Sequence, residues 1–358
     1  MAAYTNIDNP DEHFQITLYT GDGSTSRDIT NTGDFDLKPD ILWIKNRSAA
    51  DSYIWANSSW RTDGGDISAS LYFMTDSNSL RQYDTTTAKT FNTDGFTIGE
   101  NAAINTNAEN YVAWQWKLQE GSLTTNTDGD ENTSVQVNSD AKISSGTYVG
   151  TGTANTSFGH GLGVKPDFIF IRCYTRSENG QVYMNGAETT NGGMMKLDTT
   201  SAVNDNQVLF YSQPTASVFS VGTNFEVNQL NGKYVFWAMA NVQGFSKSGK
   251  YIGNGSTNGA FVYTGFKPAW LLVKSTGVRN WLLYDNKRGS LNLNDEYFYT
   301  NSNAEESTSV SSGYDFLSNG FKVRNTYGDG NTSGETYAYL AFAENPFTTS
   351  IGIPTTAR

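Results

Sequence analysis

The side chains best suited to acid–base catalysis in this sequence are its two histidines, His13 and His160. A catalytic histidine needs other polar groups that converge on it. His13 follows Asp11 and Glu12, His160 lies in "FGHGLG", and the sequence has no G-x-S-x-G, H-E-x-x-H or Walker pattern. We therefore predict that the protein is not an enzyme. A glycan depolymerase stays open as a minor alternative, because two carboxylates that meet only on folding would suffice for it.

The acidic stretch "NTDGDEN" is the main metal candidate. Its Asp128, Asp130 and Glu131 offer oxygen ligands around a glycine, which would suit Ca²⁺, but the loop lacks the twelfth-position Glu of an EF-hand. We therefore favour a solvated acidic segment over a calcium site. Cys173 is the one cysteine of the sequence, which excludes a disulfide within the chain and a cysteine-based zinc site. No cofactor is predicted.

Tryptophan side chains could bind glycans by stacking on sugar rings. Trp60 has no counterpart elsewhere in the sequence, while Trp55 and Trp281 share a position in two similar segments, "SYIWANSSWR" and "NWLLYDNKRG". Asp285 and Arg288, in the second of these segments, are further binding candidates. The alternative for the tryptophans is a place in a core or at an interface between modules.

The elements that carry these residues occur three times. The phrases "KPDILWIK", "KPDFIFIR" and "KPAWLLVK" begin at Lys38, Lys165 and Lys267. Glycine turns at Gly21, Gly150 and Gly253 precede the phrases, and strands that begin at Tyr111, Tyr234 and Tyr337 close the units. A unit of about 100 residues has the size of a domain, because solenoid and propeller repeats run at roughly 20–50 residues.

Composition and patterning predict an all-β fold. Aromatic residues make up 13% of the chain, and 35 glycines supply turns. Alternation in the closing strand places Val112, Trp114 and Trp116 on one face, which we expect to be core. The phrase strands are apolar without alternation, which indicates cover on both faces. We predict three tandem antiparallel β-sandwich modules, jelly-roll-like, with "NAEESTSVSSGYDFL" as a weak helix candidate.

The spacing of the repeated phrases gives the module boundaries. The three modules are predicted at residues 1–117, 146–245 and 246–347, with a polar linker or arm at 118–145 and a C-terminal tail at 348–358. The junction between the second and third modules is short. We therefore expect these two modules to pack together and the first to sit apart.

The charge of the chain bears on its partners. Its 24 Lys and Arg stand against 36 Asp and Glu, a net charge of −12, which argues against a surface that binds nucleic acid. No apolar run approaches the ~18–20 residues that span a bilayer, so no membrane insertion is expected. The N-terminal residues show no Sec-type signal. Work outside the cell would then follow from assembly into a particle or from lysis.

Several stretches together resemble an uncharacterised repeat family in virion proteins of marine tailed phages, especially cyanophages. These are "YTNIDNPDEHFQITLYTGDGS", "KPDILWIKNR", "DGFTIG…NYVAWQWK" and the ending "YLAFAENPF". The resemblance covers nearly all of residues 1–347. The second module departs from it, with "CYTRSENGQVYMNG" where the family keeps a Trp and an Asp-x-x-Arg-Gly turn. The resemblance assigns no catalytic or binding residue.

What the resemblance implies is a non-enzymatic structural protein on the exterior of a phage particle, assembled in the host cytoplasm. A tail or fibre component that serves host attachment, with glycan binding, is the first expectation. A capsid decoration protein on the head is the alternative. Its partners would be other virion proteins, a host surface glycan and further copies of itself, with a homotrimer favoured.

Overall fold

Short β-strands joined by tight turns make up nearly all of the fold. The computed structural model describes residues 4–59, 70–118, 123–187, 189–289 and 292–355. The first strands are β1 (Phe14–Thr20), β2 (Arg27–Ile29), β3 (Ile41–Asn46), β4 (Ile54–Asn57), β5 (Ser70–Met74), β6 (Gln82–Asp84), β7 (Ala88–Phe91), β8 (Phe96–Ile98) and β9 (Asn110–Trp116). The middle strands are β10 (Thr124–Asn126), β11 (Thr133–Asn138), β12 (Ile143–Val149), β13 (Thr156–Gly159), β14 (Phe168–Cys173), β15 (Gln181–Met184), β16 (Met195–Lys196), β17 (Val218–Val221) and β18 (Lys233–Met239).

The last strands and the helical turns complete the fold. The strands are β19 (Ser246–Ile252), β20 (Phe261–Tyr263), β21 (Phe266–Ser275), β22 (Trp281–Asp285), β23 (Glu296–Tyr299), β24 (Ser307–Thr308), β25 (Tyr314–Leu317), β26 (Gly320–Val323) and β27 (Thr336–Pro346). One-turn helices are α1 (Ala102–Asn105), α2 (Phe225–Asn228) and α3 (Gly328–Asn331), and a 3₁₀ turn spans Pro10–Glu12.

The strands form three large and three small sheets. The large sheets have the orders β1-β9-β3-β4-β5-β6, β10-β11-β12-β18-β14-β15-β16 and β19-β27-β21-β22-β23-β24. The small sheets are β2-β8-β7, β13-β17 and β20-β26-β25. The ladders between these strands are antiparallel, which confirms the predicted all-β, sandwich-like fold.

The strand register shows that the three copies are built alike. In each large sheet a tyrosine of the opening strand faces the first tyrosine of the closing strand and stacks on it. The pairs are Tyr19 with Tyr111, Tyr148 with Tyr234 and Tyr251 with Tyr337, with ring centroids 5.1, 4.9 and 5.2 Å apart. We call β1–β9 the first repeat, β12–β18 the second and β19–β27 the third. That each repeat is a separate domain stays a prediction.

The register also corrects one alignment made from the sequence. Counted from the paired tyrosines, Trp55 opposite Trp43 corresponds to Leu283 opposite Leu272, and Trp281 lies two residues before Leu283. Trp55 and Trp281 therefore occupy different positions. The segments look alike because a shift of two residues along a strand keeps the same face inward.

The inward faces of the three large sheets meet in one hydrophobic cluster. Trp116 of the first repeat packs against Trp237 of the second at 5.0 Å, and against Trp270 and Phe342 of the third at 5.9 and 5.6 Å between ring centroids. The expectation that the first module sits apart is therefore wrong. A short junction shows only that few residues connect two modules. The apolar inner face of each sheet must be buried against another sheet, and this requirement decides which modules pack together.

The outward face of each large sheet packs beneath its own small sheet. A buried asparagine ends each one-turn helix there: Asn105, Asn228 and Asn331, all 0% exposed. Asn105 donates from Nδ2 to the carbonyl oxygens of Ser24 and Gly99, both at 3.0 Å. Gly21 is needed beside it because a Cβ there would lie 2.1 Å from Thr106 O. The asparagine lies six residues before the closing tyrosine in all three repeats, a signal present in the sequence.

Two further expectations need correction. Residues 118–145 were predicted as a polar linker or arm, but β10 and β11 within them join the second large sheet. The alternation in "TSVQVN" favours a strand, and it was outweighed by the polar composition of the segment. The weak helix candidate "NAEESTSVSSGYDFL" contains β24 and β25 and no helix.

Candidate functional site

Each repeat buries a positive charge at the last position of the repeated phrase. These residues are Lys45, Arg172 and Lys274, with exposed fractions of 0%, 1% and 0%. A buried cation must be met by hydrogen-bond acceptors, because its desolvation is costly. Burial lowers the pKa of Lys45 and of Lys274 to about 8. The sequence signal for these sites is a basic residue that ends an apolar strand in all three repeats.

Two of these cations stabilise seams, by which we mean the contacts between the large sheets of two repeats. Arg172 of the second repeat donates from Nη2 to the carbonyl oxygens of Ser77 and Ser79 in the first repeat, both at 2.7 Å. Lys45 of the first repeat donates from Nζ to Asn303 O of the third at 3.2 Å. Lys274 donates to carbonyl oxygens of its own repeat. The buried charges thus belong to the scaffold.

The structure places Asp285 and Arg288 inside the seam between the third and first repeats. Their exposed fractions are 0% and 6%, and Arg288 Nε lies 2.6 Å from Asp285 Oδ2. The same oxygen accepts a hydrogen bond from Trp114 Nε1 of the first repeat at 2.9 Å. Arg288 also bonds to Glu306 and lies over the Phe298 ring at 4.3 Å. This pair joins two repeats and is not presented to solvent.

The predicted tryptophans are likewise at seams where the structure describes them. Trp55, 3% exposed, packs against Phe170 of the second repeat with ring centroids 4.6 Å apart. Trp281, 0% exposed, donates from Nε1 to Lys196 O of the second repeat at 2.8 Å. These positions match the core or interface alternative for both residues. Trp60 lies outside the described residues.

The acidic candidate segment contacts the second small sheet. Asp130 accepts hydrogen bonds from Ser157 N at 3.0 Å and Ser157 Oγ at 2.7 Å, and these bonds lower the pKa of Asp130. Asp128 accepts from Asn126 Nδ2, and Glu131 forms a β-bridge with Phe158. Within the described ranges, no group of three or more His, Cys, Asp or Glu side chains could hold a metal ion.

The residues with nucleophilic or acid–base potential lie in unrelated settings. His160 is 0% exposed, and burial lowers its pKa to about 4. His13 Nδ1 lies 2.9 Å from Asn138 Nδ2, and burial also lowers the pKa of His13. Cys173 is fully buried. His160 and Cys173 are therefore packed in the interior, whereas His13 is half-buried and lines a cavity of about 310 Å³.

A polar cleft of about 220 Å³ opens where the third repeat meets the first. Its lining residues are Asn9, Asp11, Phe14, Gln15, Ile16, Thr32, Gly33, Asp34, Ala269, Asn286, Lys287, Ala343, Glu344 and Asn345. They come from the 3₁₀ turn and β1, from the loop that follows β2, and from β21, the residues just after β22 and the end of β27. Sequence reasoning missed this cleft, because its residues form no motif.

The wall of the cleft on the first repeat is held by hydrogen bonds. Gln15 donates from Nε2 to Asp11 O at 3.0 Å and to Phe35 O at 2.6 Å, while its Oε1 accepts from Gly33 N at 3.2 Å. Asp34 N donates to Asp11 Oδ2 at 3.1 Å. Burial raises the pKa of the Asp11 carboxyl, with the charge of Asp34 adding to the increase. These hydrogen bonds fix the position of the wall.

On the other side the cleft has an amide without a partner. Asn286 Oδ1 is buried and has no hydrogen-bond partner among the described residues. The register places Asn185 of the second repeat at the equivalent position, and there Ser248 Oγ of the third repeat donates to Asn185 O at 3.2 Å. In the seam between the first and second repeats, Asn57 Nδ2 donates to Ser145 Oγ at 3.2 Å. Asn57 corresponds to Asp285, which Trp114 Nε1 bonds across the third seam in the same way, whereas Ser58 is the residue that corresponds to Asn286. What distinguishes the third seam at Asn286 is the cleft itself.

Residues 9–346 match the model of a family described as Domain of unknown function (DUF7483). The chain belongs to this family. No curated protein and no solved structure matches it. The DUF7483 match spans all three repeats and includes both Asn9 and Asn345 of the cleft. The family unit is therefore the complete set of three sheets, with the seam that joins its two ends.

In the described residues, no helix is both long and apolar enough to cross a bilayer.

Proposed function

We propose that this chain is a non-enzymatic structural protein on the exterior of a tailed-phage virion, and that it serves host attachment as part of the tail or its fibres. The observation that carries the proposal is that the residues common to all three repeats have structural roles. The positions common to all three repeats are the stacked tyrosines, the buried asparagines and the buried cations, and they hold the fold together. What was repeated is a building block, as expected of a scaffold that displays a surface.

The resemblance to phage virion proteins supports the location, and the acidic, strand-rich composition is compatible with it. Host attachment by glycan binding agrees with a polar cleft whose wall is held by hydrogen bonds. We further propose that other virion proteins anchor the chain and that it forms a homo-oligomer, with a trimer as the expected state.

Capsid decoration remains the competing proposal for the same scaffold. A free arm at 118–145 and free terminal segments would suit decoration, because they could thread between neighbouring subunits. Residues 124–138 carry strands of the second large sheet, and Asp8 accepts hydrogen bonds from Ser350, which ties the two terminal segments together. These contacts leave less free chain for such threading, so we favour attachment.

Immunogold labelling of intact virions with antibody against this chain tests the location. Label on the tail or its fibres is the expected result. Label spread evenly over the head would replace attachment with decoration, and virions without label would overturn the virion proposal. Release of reducing sugars from host envelope material by the purified protein would overturn the non-enzymatic part.

A further inference from the structure

We propose that the cleft between the third and first repeats binds one neutral sugar ring of a host surface glycan. This inference rests on the proposed attachment function and names the site and ligand class for it. The site is distinct from the buried tryptophans and from the Asp285–Arg288 pair.

The chemistry of the lining indicates a ligand rich in hydroxyl groups. Carboxylates accept hydrogen bonds, and amide side chains both donate and accept them. The cleft offers the carboxylates of Asp11, Asp34 and Glu344 together with the amides of Asn9, Asn286 and Asn345. A hydroxyl group can donate a hydrogen bond to a carboxylate, and it can both donate to and accept from an amide side chain. A sugar ring carries several hydroxyl groups in a volume that a small cleft can hold.

The charges of the cleft select against anionic ligands. Glu344 Oε2 lies 2.7 Å from Lys267 Nζ, so its charge is paired, while the lining adds two further carboxylates, Asp11 and Asp34, and one exposed cation, Lys287. An acidic sugar would add a negative charge beside these carboxylates. A neutral sugar avoids that repulsion and still satisfies the acceptors.

The unpartnered amide supports a ligand at this seam in particular. A buried polar atom without a hydrogen bond lowers stability, and such atoms in native proteins commonly mark a bound water or ligand. Asn286 Oδ1 is such an atom, and it belongs to the lining of the cleft.

Titration of the full-length protein with simple sugars tests the site. The probes are the methyl glycosides of glucose, galactose, mannose and N-acetylglucosamine, with methyl glucuronide as an anionic control, observed by saturation-transfer NMR and calorimetry. We expect at least one neutral glycoside to bind and the glucuronide to bind more weakly. Asn286→Ala and Asp34→Ala should each weaken binding about tenfold or more, the effect of losing one ligand hydrogen bond.

Asn185→Ala is the matched control, because it removes the equivalent amide from a closed seam and should leave sugar binding unchanged. Asp34 is exposed, so Asp34→Ala keeps the variant set informative even if Asn286→Ala disturbs packing. Absence of binding by all four neutral glycosides would overturn the inference. Equal binding by wild type, Asn286→Ala and Asp34→Ala would also overturn it.

Adsorption of the purified protein to host cells separates this inference from the proposed function. If the protein adsorbs to cells but binds none of the glycosides, the cleft inference fails and attachment stands. If a glycoside binds in the cleft but virions carry no label, the site stands and the attachment proposal fails.

Discussion

The two faces of each large sheet differ in what they pack against and in the aromatic residues they use. The inward faces share one cluster that contains Trp43, Trp55, Trp114, Trp116, Trp237, Trp270 and Trp281. The outward faces form three separate clusters in which tyrosine predominates among the polar aromatics and no tryptophan occurs among the described residues. Tryptophan fills the large space where three sheets converge, whereas tyrosine hydroxyls reach loop carbonyls near the surface. The shared face makes the repeats interdependent, and the separate faces give each repeat its own shape.

The strongest way to break this comparison is to remove a repeat from its neighbours. Residues 246–347 alone would expose the inward side chains Trp270, Trp281, Leu340 and Phe342 to water. We expect this fragment to aggregate or to lack a fixed structure, because its single remaining cluster is small. A two-dimensional NMR spectrum of the fragment, compared with that of the full chain, measures this. A well-dispersed spectrum would show that the repeat folds alone.

A pair of core substitutions tests the two faces within the full chain. Trp116→Ala in the shared cluster and Phe321→Ala in the outer cluster of the third repeat should each lower the free energy of unfolding by about 3–5 kcal/mol. The two variants should differ in which repeats lose protection from amide exchange. Amide hydrogen exchange should increase in all three repeats for Trp116→Ala, but mainly in the third for Phe321→Ala. The same local pattern for both variants would contradict a shared core.

The sequence predicted which side chains of a closing strand face the core, but it did not predict which sheet covers that face. Alternation identified Val112, Trp114 and Trp116 as a core face, and the structure confirms that they are buried. A period of two shows which side chains share a face, but not which sheet covers them. For the same reason, Trp55 and Trp281 could be assigned either to a ligand platform or to an interface, and only the fold places them at seams.

The cleft was beyond sequence reasoning for a different reason. Asp11 and Asp34 are near the start of the chain, while Asn286 and Glu344 come from its last quarter. They meet because the third large sheet closes against the first, a contact that no local pattern reports. The unpartnered Oδ1 of Asn286 can be recognised only from its neighbours in the folded chain.

A polar substitution tests the separate outer faces with a smaller expected loss of unfolding free energy. Asn331 accepts from Asn254 N at 2.9 Å and donates to Ser256 O at 2.9 Å and Asn325 O at 2.6 Å. Asn331→Ala would leave these backbone groups unsatisfied, and we expect a loss of about 2–3 kcal/mol of unfolding free energy, measured by urea denaturation. Hydrogen exchange should increase mainly around α3 and β20. Increased exchange throughout the first repeat would contradict the idea that Asn331 stabilises only its own repeat.

The smallest expected effect is a pH dependence that arises from the buried lysines. The pKa of Lys274 is lowered from 10.5 to about 8 by burial, so between these values the unfolded chain binds more protons than the folded one. Stability therefore rises with pH through this window. Relative to Lys274→Met, wild type should gain about 1–2 kcal/mol between pH 8 and 9.5. Equilibrium denaturation of both proteins across this range gives the difference.

The paired measurement removes other titrations that the two proteins share, above all those of the buried tyrosines. Lys45→Met extends the test, because the pKa of Lys45 is also lowered to about 8, but Lys45 Nζ donates to Asn303 O across a seam. The stability difference between wild type and Lys45→Met should change with pH at the same slope as the difference for Lys274→Met. It should also include a constant loss, which does not depend on pH, from the bond to Asn303. A flat curve for both variants would mean that these lysines keep an ordinary affinity for protons. Equal displacement of the two curves would mean that the bond across the seam adds nothing to the contact between repeats.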